Sequence, residues 1–443
     1  MNLKIYAWLI FLIFSLSIKN IHSQYSKMTR EMDEPYRKYV SLIKSHYLSP
    51  EVNFHKVEHP KISIIIPMYN EAKNAKSVIR SIQNQSLQDF EIVCVNDNSN
   101  DDTLKVLEEL QQEDPRITIL TNKSNRGVLY NRIFGSLKSK GEYITYIDAD
   151  DALCNYDILN IAYNKATIEK GEKIDIVHYQ TCGCVVNPDG SLGDFLLLTI
   201  FNPNSFEKVI KQPEISLNYF QNGNNITGSG LVFDKIYSRE LIKRVADYIG
   251  PELWNQNLVF SDDFLLAYGA MRMANSIVNI GQIGYWHNFD TQTSTTSNVW
   301  QYEGYRLKYP DKTNRKILDY IIITEKVLEL TENEPQFLEF REHNMKKLGD
   351  KNFIPTVARS IYYNRYLTIV ENFINWKYIT KEVKKRSIEF LKYLLNYNIG
   401  TRNKFLHVLG DDQNSGPKSK KYQEDEYIEP NDDEVVNNGI EDL

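Results

Sequence analysis

The chain has 443 residues, enough for two or three domains with sizeable cores. Hydrophobic residues make up 42% and charged residues 25%, an ordinary balance for a globular protein. A net charge of −6 argues against a general affinity for nucleic acid, and four cysteines are too few for a disulfide scaffold.

Residues 1–23 stand apart. Lys4 precedes an apolar run from Ile5 to Ile18, and Lys19 ends it. A basic start, a short apolar middle and a polar exit describe a secretory signal peptide. An uncleaved signal anchor is the alternative, because Ser17 and Ser23 are the nearest substitutes for the small residues of a cleavage site. Either way the remainder is expected in the lumen of the secretory pathway, either soluble or attached to the membrane by this segment alone. Residues 24–60 read as a helical arm, with Tyr36, Tyr39, Val40 and Ile43 at near-helical spacing and Pro50 as a stop.

The pattern changes at Lys61. Ile62 to Ile66 is a β-branched strand, halted by Pro67 and followed by Tyr69, Asn70 and Glu71. A helix over Asn74 to Gln83 follows, then a strand from Phe90 to Val95 that runs into Asn96, Asp97 and Asn98. A helix with Leu104, Leu107 and Leu110 leads to a third strand, Ile117 to Leu120, and a helix spans Leu129 to Leu137. The fourth strand starts at Tyr143 and stops in carboxylates: Asp148, Asp150 and Asp151. Strands alternating with helices imply right-handed βαβ units and a mostly parallel sheet. Ligands bind such sheets at the carboxyl ends of the strands, where these polar residues fall.

Three acids in four positions repel one another unless a cation sits among them. Hard divalent ions, Mn²⁺ or Mg²⁺, suit carboxylate oxygens and usually accompany phosphates. The other reading is a strand-to-helix turn in which Asp150 or Asp151 caps the next helix. No glycine-rich phosphate loop occurs, so a metal would have to hold any diphosphate.

The segments ISIIIPMYNEAKN, EIVCVNDNSNDDT, NRGVLYNR and GEYITYIDADD, in this order and spacing, resemble glycosyltransferase family 2. The resemblance implies a GT-A fold, which is α/β and Rossmann-like, over residues 61–290. It also implies an inverting transferase that takes a hexosyl or N-acetylhexosaminyl group from a nucleotide diphosphate-sugar, with UDP favoured. Pro67, Tyr69, Glu71 and Asp97 would hold base and ribose, Arg132 and Asp148 would lie near the diphosphate, and Asp150 and Asp148 would bind the metal. Asn96 and Asn98 depart from the family's "DDG", while Asn131 and Ile133 depart from its "ARN" around Arg132.

Further along, Ile174 to Gln180 reads as a strand, and Val185 to Gly190 as a turn between strands. Phe233 to Leu241 resembles the family's "W-x-K-LYRREL", with Phe233 in place of Trp. Asp262-Asp263 falls at the family's "ED", where the resemblance makes Asp263 the base that deprotonates the acceptor, with Asp262 beside it. Taken as residues, Ser261-Asp262-Asp263 fits a helix N-terminus equally well. After a strand at Ile277 to Ile280, His287 stands where some GT-A enzymes complete the metal shell, or else simply ends a strand. Cys182 and Cys184 read as ordinary cysteines. Residues 291–410 read as a helical C-terminal region and 411–443 as an acidic disordered tail. Asn84, Asn122 and Asn225 lie in N-x-S/T sequons, open to glycans in a lumenal protein. The expected acceptor is a glycan or glycoconjugate. The alternatives are a sugar-nucleotide-binding relative without turnover, kept open by Asn96, Asn98 and Asp262, and a transferase acting on a lipid phosphate.

Overall fold

The computed structural model describes residues 47–49, 54–168, 172–186, 192–197, 206–216, 231–256 and 262–290, with isolated positions elsewhere. The N-terminal segment, most of the arm, the turn at 187–190, the sequon at Asn225, nearly all of the helical C-terminal region and the tail lie outside the described residues. Among the described residues no helix is long and apolar enough to cross a membrane.

Four strands and three helices alternate from residue 62. They are β1 (Ile62–Met68), α1 (Ala75–Gln83), β2 (Phe90–Asn96), α2 (Thr103–Glu113), β3 (Ile117–Thr121), α3 (Val128–Lys138) and β4 (Tyr143–Tyr146). β1 pairs in parallel with β2 and β4, and β2 with β3. The continuous β-branched run of β1 follows from cover on both faces. Ile62, Ile64 and Ile66 pack with Val78, Ile79 and Ile82 of α1 on one side, while Ile65 packs with Leu129 and Ile133 of α3 on the other. Gly135 lets α3 lie close to the sheet, since a Cβ there would stand 2.6 Å from Ile65 Cγ2.

The second half is mixed. It comprises β5 (Ala152–Leu153), α4 (Ile158–Ile168), β6 (Ile176–Val186), β7 (Leu192–Leu197), β8 (Val209–Lys211), β9 (Lys235–Ser238), α5 (Arg239–Ile249), α6 (Pro251–Trp254), α7 (Asp262–Met273) and β10 (Ser276–Asp290). The sheet runs β3-β2-β1-β4-β9-β6-β10-β5, with β7 beside β6 and β8 beside β10. β9 is antiparallel to both β4 and β6, while β10 is parallel to β6, so beyond the first four strands the sheet is mixed. β6 and β7 are antiparallel neighbours on either side of the expected turn. β10 is one long strand whose register with β6 shifts between Asn279 and Tyr285. Cys182 lies in β6, buried and unbridged, as an ordinary core residue.

The described end of the arm rests on this core. Ser49 N–H donates to Asn84 Oδ1 at 2.8 Å, and the Arg116 guanidinium lies 5.3 Å from the centre of the Phe54 ring. Of the C-terminal region, Ile323 is buried in the same cluster as Leu253, and Lys326 Nζ lies 3.4 Å from Glu252.

Two of the sequons lie within the described residues. The Asn84 amide donates to the carbonyls of Tyr47 and Arg80, both at 2.8 Å. The Asn122 amide donates to Asp97 Oδ1 and Asn131 Oδ1, both at 2.7 Å. The amide nitrogen of each is thus hydrogen-bonded within the folded domain.

Candidate active site

The loops after β1, β2, β3 and β4 meet at the carboxyl end of the parallel strands. The first two are latched together. Asn70 N–H donates to Ser99 Oγ (3.0 Å), Asn100 N–H to Asn70 Oδ1 (2.8 Å), Glu71 N–H to Thr103 Oγ1 (2.8 Å) and Ala72 N–H to Asp101 Oδ2 (3.1 Å). Asn70 and Asn98 adopt φ values of 58° and 60°. Asparagine is the side chain that best tolerates this left-handed region, so Asn98 serves where the family pattern has glycine. Asn96 accepts from Ser99 N–H at 3.2 Å, as an aspartate would. Both departures therefore keep the loop's shape.

Pro67 pairs in register with Val95 inside β1, which runs two residues past the expected end at Ile66, and Tyr69 is 38% exposed. Asp97 is 2% exposed. Its carboxylate accepts from Asn122 Nδ2 (2.7 Å), Arg126 N–H (2.8 Å) and Gly127 N–H (2.9 Å). Gly127 has φ 83°, a conformation other residues avoid, which turns its amide toward Asp97. Asp97 thus caps α3 from a neighbouring loop, with three of about four acceptor positions used within the protein.

Past β4, Ile147 N–H still bonds Ile65 O, and the chain turns at Asp148 to Asp151. The helix-cap reading of Asp150 and Asp151 is corrected here, because β5 follows and α4 begins only at Ile158. Asp151 turns inward. It accepts from Tyr285 O–H at 2.6 Å and Asn288 N–H at 2.7 Å, and lies 3.0 Å from His287 Nδ1. Tyr285 also accepts from Asp148 N–H at 3.1 Å. The Phe233 ring stacks on Tyr285 at 4.3 Å and on His287 at 5.6 Å. The sequence reading missed Asp151, Tyr285 and Phe233 as site-builders. The third acid of the run and the Phe in the family's Trp position were the available signals.

Electrostatics mark the cluster as one that wants a cation. Burial, then the charges of Asp151, Asp148 and Glu71, push the Asp150 carboxyl up to about 8. Burial also raises Glu71, with Asp101, Asp148 and Asp151 adding to it, so Glu71 belongs electrostatically to the acid cluster as much as to the base end. Burial pulls His287 down, but its hydrogen bond and ion pair with Asp151 outweigh that, and with Asp148 and Asp150 they raise it to about 9. Carboxylates with an imidazole oriented by a second carboxylate are a donor set suited to a divalent ion. Among the described residues, however, no three such groups converge into a ready site.

Arg132 explains part of that. It is buried on α3, and Nη2 donates to Asp148 Oδ1 at 2.6 Å while Nη1 pairs with Asp263. Asp263 lies in the first turn of α7, as the helix-start reading requires, and faces the acid cluster through Arg132. Asp262 opens the same helix, and its side chain lies outside the described residues.

The description Glycosyl transferase family 2 matches residues 63–165. A GalNAc(5)-diNAcBac-PP-undecaprenol beta-1,3-glucosyltransferase of Campylobacter jejuni is 40% identical over 95 residues, 21% of this chain and 31% of its own length. A cholesterol galactosyltransferase of Borreliella burgdorferi is 25% identical over 239 residues, 54% of this chain and 63% of its own length. The chain therefore spans less than two thirds of either relative. Among solved structures, S. aureus TarS 1-349 in complex with UDP-GlcNAc superposes with a TM-score of 0.50 at 16% identity, covering 80% of this chain and 93% of that one, a likeness of fold alone. Motifs and family match agree on residues 63–165, which match glycosyl transferase family 2.

Proposed function

We propose that the protein is a metal-dependent, inverting glycosyltransferase that moves a sugar from a nucleotide diphosphate-sugar, with UDP as the favoured nucleotide, to a hydroxyl of a glycan or glycoconjugate. One observation carries this most. Asp148 and Asp263, 115 positions apart in the chain, are joined through a single buried guanidinium, which supports a shared site for the diphosphate end and the base. Tyr69 and the latched loops offer a rigid wall for the base. A divalent ion held by Asp150, Asp148 and His287 would neutralise charge on the leaving diphosphate. Asp263 would take the proton from the acceptor hydroxyl as it attacks from the face opposite the leaving group. Asp151 orients the imidazole of His287 through Nδ1, at 3.0 Å.

Asn96 and Asn98 preserve the loop geometry, which leaves Asp262 as the departure behind the reading without turnover. The names of the two relatives, one containing undecaprenol and the other cholesterol, favour a lipid-carried glycoconjugate as acceptor within this proposal. Residence in the secretory lumen is likewise proposed, from the residues at 1–23 alone. The deciding experiment incubates the protein with UDP-glucose, UDP-galactose and UDP-GlcNAc, with and without Mn²⁺, and measures release of UDP. Mn²⁺-dependent release that rises with a glycan or glycolipid acceptor supports the proposal. Binding without release, whatever acceptor is offered, refutes it in favour of a binding protein.

A further inference from the structure

Arg132 is 3% exposed, and its guanidinium spans two elements. It donates to Asp148 Oδ1 at 2.6 Å, at the head of the acid cluster, and pairs with Asp263 at the start of α7. The two carboxylates keep 26% and 29% of their side-chain surface exposed, so each faces the cleft as well as the arginine. A planar guanidinium with donors at both ends is the one protein cation suited to such a bridge.

Its charge does at Asp148 what a metal ion would do. It neutralises one member of a run of acids that also holds Asp150 and Asp151. A resident cation also opposes an incoming one, by charge and by occupying a ligand oxygen. This accounts for an acid-rich loop that nonetheless lacks three converging metal ligands among the described residues. Accepting the site described under Proposed function, we infer that Arg132 is a positioning residue with two successive roles. It holds Asp148 while no metal is bound. Once a divalent ion takes Asp148, it holds Asp263 alone, so that the base is set by the arrival of metal and donor.

Two effects of opposite sign follow from removing the guanidinium, and a merely structural arginine would not produce both. Mn²⁺ binding without nucleotide should tighten, because Asp148 is released and a repelling charge is gone. Turnover should fall, because Asp263 loses its ion pair with Arg132. The test uses the full chain with Arg132→Met and Arg132→Lys, and reads free Mn²⁺ by electron paramagnetic resonance with no nucleotide present. Arg132→Met should bind Mn²⁺ about tenfold more tightly, the effect of one adjacent charge. Its kcat should fall by roughly 10², as for a catalytic group displaced by about 1 Å, with the KM for donor little changed. Arg132→Lys, reaching one carboxylate at a time, should lie between the wild type and Met on both readings. Unchanged or weaker Mn²⁺ binding by Arg132→Met overturns the inference. If that variant does not fold, the same comparison on Arg132→Lys decides. Because the Mn²⁺ reading uses no turnover, it stands apart from the identity of the base. If Asp150→Asn binds Mn²⁺ as the wild type does, the metal site itself is wrong, and the inference falls with it.

Discussion

Replacing Asp97 by asparagine separates two roles that the family resemblance and the structure assign to one carboxylate. Asp97 accepts from Asn122, Arg126 and Gly127, at 2.7, 2.8 and 2.9 Å. An amide offers one oxygen. Turned toward Asn122 and Arg126, it sets its own N–H groups against Gly127 N–H and leaves a buried donor unpaired, at a cost of about 1–3 kcal/mol. The lost charge at the N-terminus of α3 adds about 0.3–1 kcal/mol. With Asp97 only 2% exposed, solvent relieves little of this, and a total near 3 kcal/mol is expected. At roughly 2–4 °C per kcal/mol, the melting temperature should fall by about 6–12 °C. Because α3 carries Arg132, kcat should fall as well, even at saturating donor. The assay is thermal unfolding alongside calorimetric titration with UDP and Mn²⁺. A variant that melts like the wild type yet fails to bind UDP would refute the capping role and make Asp97 a ligand-reading residue only.

Asp150→Asn should weaken Mn²⁺ and UDP binding together, because the diphosphate is left less neutralised; UDP binding with unchanged Mn²⁺ dependence would remove Asp150 from the ligand set. Asp263→Asn should leave donor binding nearly intact while transfer falls by about 10²–10⁴, and near-normal turnover would move the search for the base to Asp262. Acid should act through the buried pair of His178 and Asp234, whose Nε2 and Oδ2 lie 3.0 Å apart. Burial lowers His178 to about 4, so the unfolded chain takes up a proton near pH 6.5 that the folded one refuses. That contribution to stability is complete above pH 6.5 and is lost as the pH falls toward 4, about 2 kcal/mol of it between pH 7 and 5. Urea unfolding at both pH values, compared with His178→Gln to cancel the other titrating groups, should show the difference; equal slopes would rule it out.

Much of this was legible in the residues because the signals are local. The period of β1 and β2, the carboxylates closing β4 and the acids opening α7 each depend on a few neighbours in the chain. In the first half, helix ends and strand runs therefore came within a residue or two of those observed, whereas β6 and β10 run well past the strands read at Ile174 to Gln180 and Ile277 to Ile280.

The partnerships inside the site were not legible. Arg132 and Asp263 lie 131 residues apart, and Asp151 and His287 136. They meet because β4 is followed in space by β9, β6 and β10, an order that no local pattern encodes. The sequence by itself determined which groups could do chemistry and at which strand ends they would stand. Only the tertiary structure decided that Asp97 caps α3, that Asp151 serves His287 and that Arg132 bridges the two acidic segments, because ion pairs and buried hydrogen bonds are set by which elements pack together, and that depends on the whole chain's burial of its apolar faces.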